Sequence, residues 1–224
     1  MSRFFTADYV ERATLRDGTI VRLRLTAPED KELLRRGFEG WSPESRYARF
    51  LVPKQRLTDE ELDYLCDVDQ ETHFSLGAVA EDGDGHGEPI GLGIARFIVL
   101  PTKPGEPKLA EAAIAVADGA HGKGLGRLLF LRLCAAAIER GIQRFRCEVL
   151  CSNHSMQNLI ETIAPAHTTK VESGVTTIDF DIAPIEPTAP ATTEPISPMY
   201  QFFRAAAQNA VEWTEQVRRF WRRD

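Results

Sequence analysis

Between residues 113 and 130 the chain reads AIAVADGAHGKGLGRLLF, an apolar strand that passes through a glycine-rich turn directly into an amphipathic helix. This junction ties strand and helix into one α/β unit. Gly122, Gly124 and Gly126 are free to adopt positive φ and to let a ligand approach the main chain, and the first N–H groups of the helix lack partners within it. An anion at such a helix start meets both the free donors and the positive end of the helix dipole. The turn therefore predicts a ligand carrying a pyrophosphate.

Spacing discriminates among the glycine-rich loops. A Walker A loop needs Gly-Lys-Ser/Thr to hold phosphates and Mg²⁺, and here Lys123 is followed by Gly124 and Leu125. A dinucleotide fingerprint needs G-x-G-x-x-G near the start of a βαβ unit, whereas Gly122, Gly124 and Gly126 are spaced G-x-G-x-G in mid-chain.

Patterning supplies the remaining elements. Residues 19–25, TIVRLRL, alternate as a half-buried strand. Thr26 and Glu29 with Pro28 predict a capping box and a helix to Phe38; Ser42-Pro43 opens a second short helix, and Thr58 with Glu61 a third, to about Cys66. Segments 72–80 and 90–99 read as strands joined by the flexible loop EDGDGHGEP, and 109–117 as the next strand. The helix over 124–140 carries Leu125, Leu128, Leu129, Leu133, Ala136 and Ala137 on one face and stops at Gly141. A strand at 144–150, a helix from about Ser155 to Ile163 and a hairpin turning at Ser173-Gly174 complete a mixed, mostly antiparallel α/β sheet flanked by helices.

Beyond this predicted domain, 1–182, residues 183–198 hold five prolines among Thr, Ala and Glu and read as an extended linker. In 199–224, Met199, Phe203, Ala206, Ala210, Trp213, Val217 and Phe220 align in one seam of a helix. Docking on the domain, self-association, and membrane-surface binding aided by the terminal arginines are the three ways to bury it.

The net charge of −6 argues against non-specific nucleic-acid binding, which rests on basic residues, and suits cationic acceptors. No apolar run reaches the roughly 20 residues of a membrane span and no secretory h-region opens the chain, so a cytoplasmic protein is expected. Cys66, Cys134, Cys147 and Cys151 form no CxxC pair and have no His at ligand spacing; reduced core thiols and no metal site are expected. Seven acids and no Lys or Arg lie between residues 58 and 72, either a solvated face or a border that attracts basic surfaces.

HGKGLG at 121–126, following Val116-Ala117-Asp118, resembles the acetyl-CoA loop of the GCN5-related N-acetyltransferases (GNAT). LRDGTIVRLRLTAPED and SPESRYARF within 15–53, AEAAIAV, and NHSM at 153–156 resemble the protein lysine acetyltransferase (Pat-like) branch of that superfamily. One departure is His121, where the family usually has Gln or Arg. The resemblance implies the GNAT fold, acetyl-CoA as co-substrate, and transfer of acetyl to a primary amine: first a protein lysine, alternatively a small amine such as a polyamine or antibiotic. A non-catalytic acyl-CoA-binding regulator is the rival from another class.

By the same resemblance Glu111 is the general base, with a structural pairing to a nearby Arg or backbone donor as the alternative. Ile114, Ala115 and Val116 offer backbone groups to the pantetheine arm and thioester. Gly122, Lys123, Gly124, Leu125 and Gly126 bind the pyrophosphate through their backbone, and the side chain of Lys123 or Arg127 adds charge, with a solvated loop residue as the alternative for Lys123. His121 either contacts the pyrophosphate or begins the turn. Asn153 contacts the pantetheine, or simply caps a helix. Arg46, Tyr47, Arg49 and Phe50 form a wall of the acceptor groove, or a helix that packs Tyr47 and Phe50 inward. Family members often carry a Tyr acid beyond Asn153; none occurs in 144–182.

Overall fold

The computed structural model describes residues 3–80 and 89–182. The loop centred on EDGDGHGEP, the proline-rich linker and the C-terminal seam fall outside the described residues, apart from Pro89. The elements are β1 (Val10–Thr14), β2 (Ile20–Leu25), α1 (Lys31–Glu39), α2 (Pro43–Phe50), α3 (Asp59–Cys66), β3 (His73–Ala80), β4 (Ile90–Val99), β5 (Leu109–Val116), α4 (Leu125–Glu139), β6 (Arg144–Leu150), α5 (His154–Ile163), β7 (His167–Glu172) and β8 (Val175–Asp181). They form one eight-stranded sheet in the order β1-β2-β3-β4-β5-β6-β8-β7. Every neighbouring pair is antiparallel except β5 and β6, which run parallel because α4 carries the chain back over the sheet between them.

Strand alternation sorts side chains onto two faces. Leu23, Leu76, Phe97, Ala112, Phe145 and Phe180 point to the core under α4 and α5. Ala115 points the other way, into a smaller cluster with Phe38, Trp41, Leu57, Leu62 and Leu65 beneath α1, α2 and α3. Three of the four cysteines, Cys66, Cys134 and Cys147, are buried, and all four are free thiols.

Caps explain the short helices. The Ser42 hydroxyl accepts from Ser45 N–H at 3.2 Å, and Thr58 and Glu61 close the expected capping box. The first helix begins differently from expectation. Asp30, not Glu29, reaches back to the N–H of Ala27 at 2.9 Å, because Arg24 holds its carboxylate in a bidentate pair. Thr26 instead turns its hydroxyl to that of Ser75 at 2.9 Å.

Helix α4 is buried on more than the expected face, with Phe130, Leu131 and Cys134 also inside. The cause is the N-terminal segment, which wraps it. Phe4 and Phe5 donate their N–H groups to Glu139, Arg140 donates to the Phe5 carbonyl at 3.0 Å, and Glu11 of β1 holds Arg132 in a bidentate pair at 2.6 Å. No helix among the described residues is long and apolar enough to cross a membrane.

Candidate active site

The sheet opens where β5 and β6 part. Their pairing runs Leu109 with Arg144, Ala110 with Phe145 and Glu111 with Arg146, and then stops. On its other edge β5 continues along β4 as far as Val116 opposite Gly93. Two bonds set the direction of the β5 main chain: Leu100 N–H donates to Leu109 O at 2.9 Å and Ala117 N–H to Leu92 O at 2.8 Å. Odd-numbered residues thus face β4, and Ala112, Ile114 and Val116 turn their N–H and C=O groups into the gap. Of the three residues expected to offer backbone groups, Ile114 and Val116 turn theirs away from β4, the Val116 carbonyl being met by His121, while Ala115 gives its backbone to β4 and its side chain to the cluster under α1 and α2.

At the C-terminal end of β5 the chain makes a 3-10 turn over Asp118–Ala120 and enters the glycine loop. Gly122 and Gly124 have φ of 73° and 92°, in the left-handed region. Gly126 does not share it. It lies within α4, where an added Cβ would sit 3.6 Å from Ile114 Cδ1 and 3.7 Å from Val116 Cγ2, so its smallness lets the helix rest on β5. The first helical bond runs from Leu128 N–H to Gly124 O at 3.1 Å, so the N–H groups of Leu125 and Gly126 lie in the open first turn. The Leu125 side chain is fully buried, leaving only its backbone for a ligand.

The charged side chains of the loop are already engaged. The Lys123 ammonium pairs with Asp17 at 2.8 Å and its carbonyl accepts from Arg16 N–H, bracing the loop on the β1–β2 turn. The Lys123 hydrogen bond holds Asp17 down to about 2. Arg127 is half-buried on the first turn of α4. His121 donates Nε2–H to Val116 O at 2.9 Å, a carbonyl being able only to accept, so its ring folds back on the end of β5. Asp118, which the sequence did not single out, accepts from Ser42 N–H at 2.6 Å and from the Ser45 hydroxyl, and it ties the start of α2 to the loop. An Asp between a strand and a glycine loop is an ordinary turn residue, so nothing in the pattern marked it.

Asn153 follows β6 and caps α5, its Oδ1 accepting from Met156 N–H at 3.1 Å. Because β5 and β6 are parallel, Asn153 and the glycine loop stand on the same rim of the gap. Glu111 lies where pairing ends, exposed, with no hydrogen bond or ion pair from the described residues. The neighbouring Arg146 spends its donors on Asp179 at 2.8 and 2.7 Å, so the structural pairing considered for Glu111 is not made with it.

The α2 wall divides its side chains. Arg46 bonds the carbonyls of Gln55 and Glu39 and covers the Phe38 ring, a purely structural role. Phe50 packs edge-on to Phe38, as the inward-packing alternative has it, whereas Tyr47 is exposed. Arg49 lies over the Phe50 ring and, with Arg96 of β4, lines a small cavity under the helices. Several of the acids between residues 58 and 72 are neutralised: Asp59 by Arg35, Glu61 by Lys54, Asp63 by Lys31 and Glu71 by Arg3.

Comparison with known proteins agrees with this geometry. The model of the acetyltransferase (GNAT) family matches residues 33–163. Acetyltransferase Pat of Mycolicibacterium smegmatis is 30% identical over 179 residues, 77% of this chain and 49% of that protein, so the chain spans about half the length of that relative. Acetyltransferase PA5475 of Pseudomonas aeruginosa is 30% identical over 147 residues, 65% of this chain and 75% of that protein. The solved GNAT domain of S. lividans PAT superposes with a TM-score of 0.68 at 29% identity, covering 79% of this chain and 99% of that one. With a family model that spans more than half its length, matching relatives and a sheet that parts beside a glycine cradle, the chain belongs to the acetyltransferase (GNAT) family.

Proposed function

We propose that the protein transfers the acetyl group of acetyl-CoA to a protein lysine by direct attack in a ternary complex, in a cytoplasmic setting. The observation that carries this reading is Glu111, a carboxylate without a bond from the described residues at the fork where β5 leaves β6. The residues around the gap fit the co-substrate. The open first turn of α4 and the left-handed glycines suit a pyrophosphate, and the backbone groups of Ile114 and Val116 suit an extended arm laid along β5.

A lysine amine with a pKa near about 10.4 is almost wholly protonated at neutral pH and needs a base. Glu111 takes its proton. The amine nitrogen bonds to the thioester carbon and gives up its second proton to solvent as the C–S bond breaks, and a backbone N–H of Ile114 or Val116 aimed into the gap steadies the negative charge on oxygen. With no Tyr between 144 and 182, the departing thiolate takes its proton from solvent.

Free-thiol release from acetyl-CoA over a panel of proteins, lysine peptides and small amines tests this. Release with a protein or peptide acceptor that falls on the order of 10²–10⁴-fold in Glu111→Gln supports it. Release with small amines alone moves the acceptor to that class, and full turnover in Glu111→Gln removes the mechanism.

A further inference from the structure

Two guanidiniums share a small cavity on the sheet face that also carries Glu111, and neither pairs with a carboxylate among the described residues. Arg96 stands opposite Ala113 on β5, and Glu111 lies two residues before Ala113, so both side chains belong to the sheet face beneath α1–α3. Arg96 is only 4% exposed and its Nε has no hydrogen-bond partner. Its Nη2 donates to Nε2 of His73, and its charge lies 5.5 Å from the Tyr64 ring. Burial first, then the charge of Arg49, pushes Arg96 down to about 10; burial and the Arg96 charge hold His73 near 4, in the neutral form that accepts.

Arg49 reaches the same cavity from α2, among Phe50, Trp41, Leu57 and Leu65. Its guanidinium makes no hydrogen bond or ion pair with the described residues, and Glu111 is the one carboxylate that acts on it at longer range. Two mutually repelling cations against apolar walls, one with an orphaned buried donor, are stabilised by an anion beyond those the described residues supply.

We propose that Arg49 and Arg96 form an anion site that selects an acceptor lysine flanked by an acidic residue. The inference rests on the amine-acetylation reading and deepens it. The acceptor amine has to reach Glu111, and the arginine pair lies on that same face one side-chain length along the strand. Phosphates of the donor belong beyond Val116, at the glycine loop. Exposed Tyr47, Val52 and Tyr64 on and around α2 and α3 supply the apolar rim that a peptide chain needs and a free amino acid does not.

Two fluorescently labelled nonapeptides, each with one lysine flanked by Glu or by Gln, provide the test through anisotropy titrations of wild type, Arg49→Gln and Arg49→Lys. The Glu peptide is expected to bind wild type at least about tenfold tighter, as for a charge-assisted pair. Arg49→Gln is expected to bring the two affinities together, and Arg49→Lys to restore part of the gap. Equal binding by wild type, or an equal loss for both peptides in Arg49→Gln, would overturn the proposal. So would a loss in Arg49→Gln confined to succinyl-CoA against acetyl-CoA, which would put the anion on the acyl donor. Acetylation of the bound peptides is scored separately: preferential binding without thiol release would sink the functional reading and leave the anion site standing.

Discussion

Glu111 and Arg146 are adjacent in the parallel register of β5 and β6 and remain unbonded, because Arg146 is held from its other side by Asp179 of β8. The three residues form one row across three strands, and the outer acid keeps the cation away from the inner one. Asp179→Ala frees a guanidinium about 5 Å from the proposed base. An Arg at that range depresses a carboxylate by about 1–3 pKa units and makes it a poorer proton acceptor. The expected result is kcat lowered about tenfold, with little loss of stability because the pair is half-exposed. Adding Arg146→Gln to Asp179→Ala should recover the rate. Steady-state kinetics of the single and double variants check this, and an unrecovered double variant would place the defect in β8 itself.

Gly93 stands opposite Val116, where β4 passes beneath α4. A Cβ there would lie 2.8 Å from Leu129 Cδ1 and 3.0 Å from the Ala115 carbonyl. Leu129 is fully buried and the carbonyl belongs to the strand ladder, so neither yields cheaply. Gly93→Ala should cost about 1–3 kcal/mol, as overpacking does. It should also raise the KM for acetyl-CoA, since β5 has to shift to make room. Chemical denaturation and donor titration measure the two effects, and wild-type values in both would contradict the close packing.

Much of this arrangement was legible in the sequence because it rests on periodicity and caps. TIVRLRL, the Ser42 and Thr58 caps and the glycine loop each carry a local physical signal, and each appears in the structure within a residue or two. Strand β1 carried none. VERAT has no apolar face, and it is a strand only because it pairs with β2 at the sheet edge and sends Glu11 to Arg132. Arg96 was illegible for the opposite reason. An Arg between Ala95 and Phe97 reads as the wet side of a half-buried strand, and only α1–α3 lying over that face make it a buried cation. Gly126 matched the loop pattern but serves helix packing, a distinction that spacing alone does not contain.

The Glu11–Arg132 pair makes acid sensitivity a test of the N-terminal strap. Burial alone would raise Glu11, but hydrogen bonds from Arg132 and from the Tyr9 hydroxyl, with the Arg132 charge, hold it below the ordinary carboxylate value. A carboxyl depressed in the folded state contributes stability above its unfolded pKa and loses it as pH falls through the folded one. Glu11→Gln should therefore cost about 1–3 kcal/mol at pH 7. The gap to wild type should begin to narrow as the pH falls below about 4, the unfolded carboxylate range, and close only below the lower folded value. Denaturation curves at pH 7, 5 and 3 report it, and a gap as wide at pH 3 as at pH 7 would show that packing rather than charge holds the strap.

Asp118 links the acceptor wall to the donor loop, which makes its removal informative about both. Its carboxylate takes the Ser42 N–H at 2.6 Å and the Ser45 hydroxyl, and the hydroxyl bond is the main reason it titrates below its ordinary value. Ser42 also caps α2 through Ser45 N–H, so the helix start hangs on two adjacent supports. Asp118→Ala removes one support and leaves the Ser42 donor to find water. A loss of about 1–2 kcal/mol follows from the lost hydrogen bonds. The kinetic effect should be larger for the acceptor than for acetyl-CoA, because α2 carries Arg49 while Gly122 and Gly124 keep their own turn. Asp118→Asn, which still offers an acceptor oxygen, should restore most of the stability and the acceptor KM. If Asp118→Ala instead raised the KM for acetyl-CoA alone, the carboxylate would be shaping the glycine loop and not the wall.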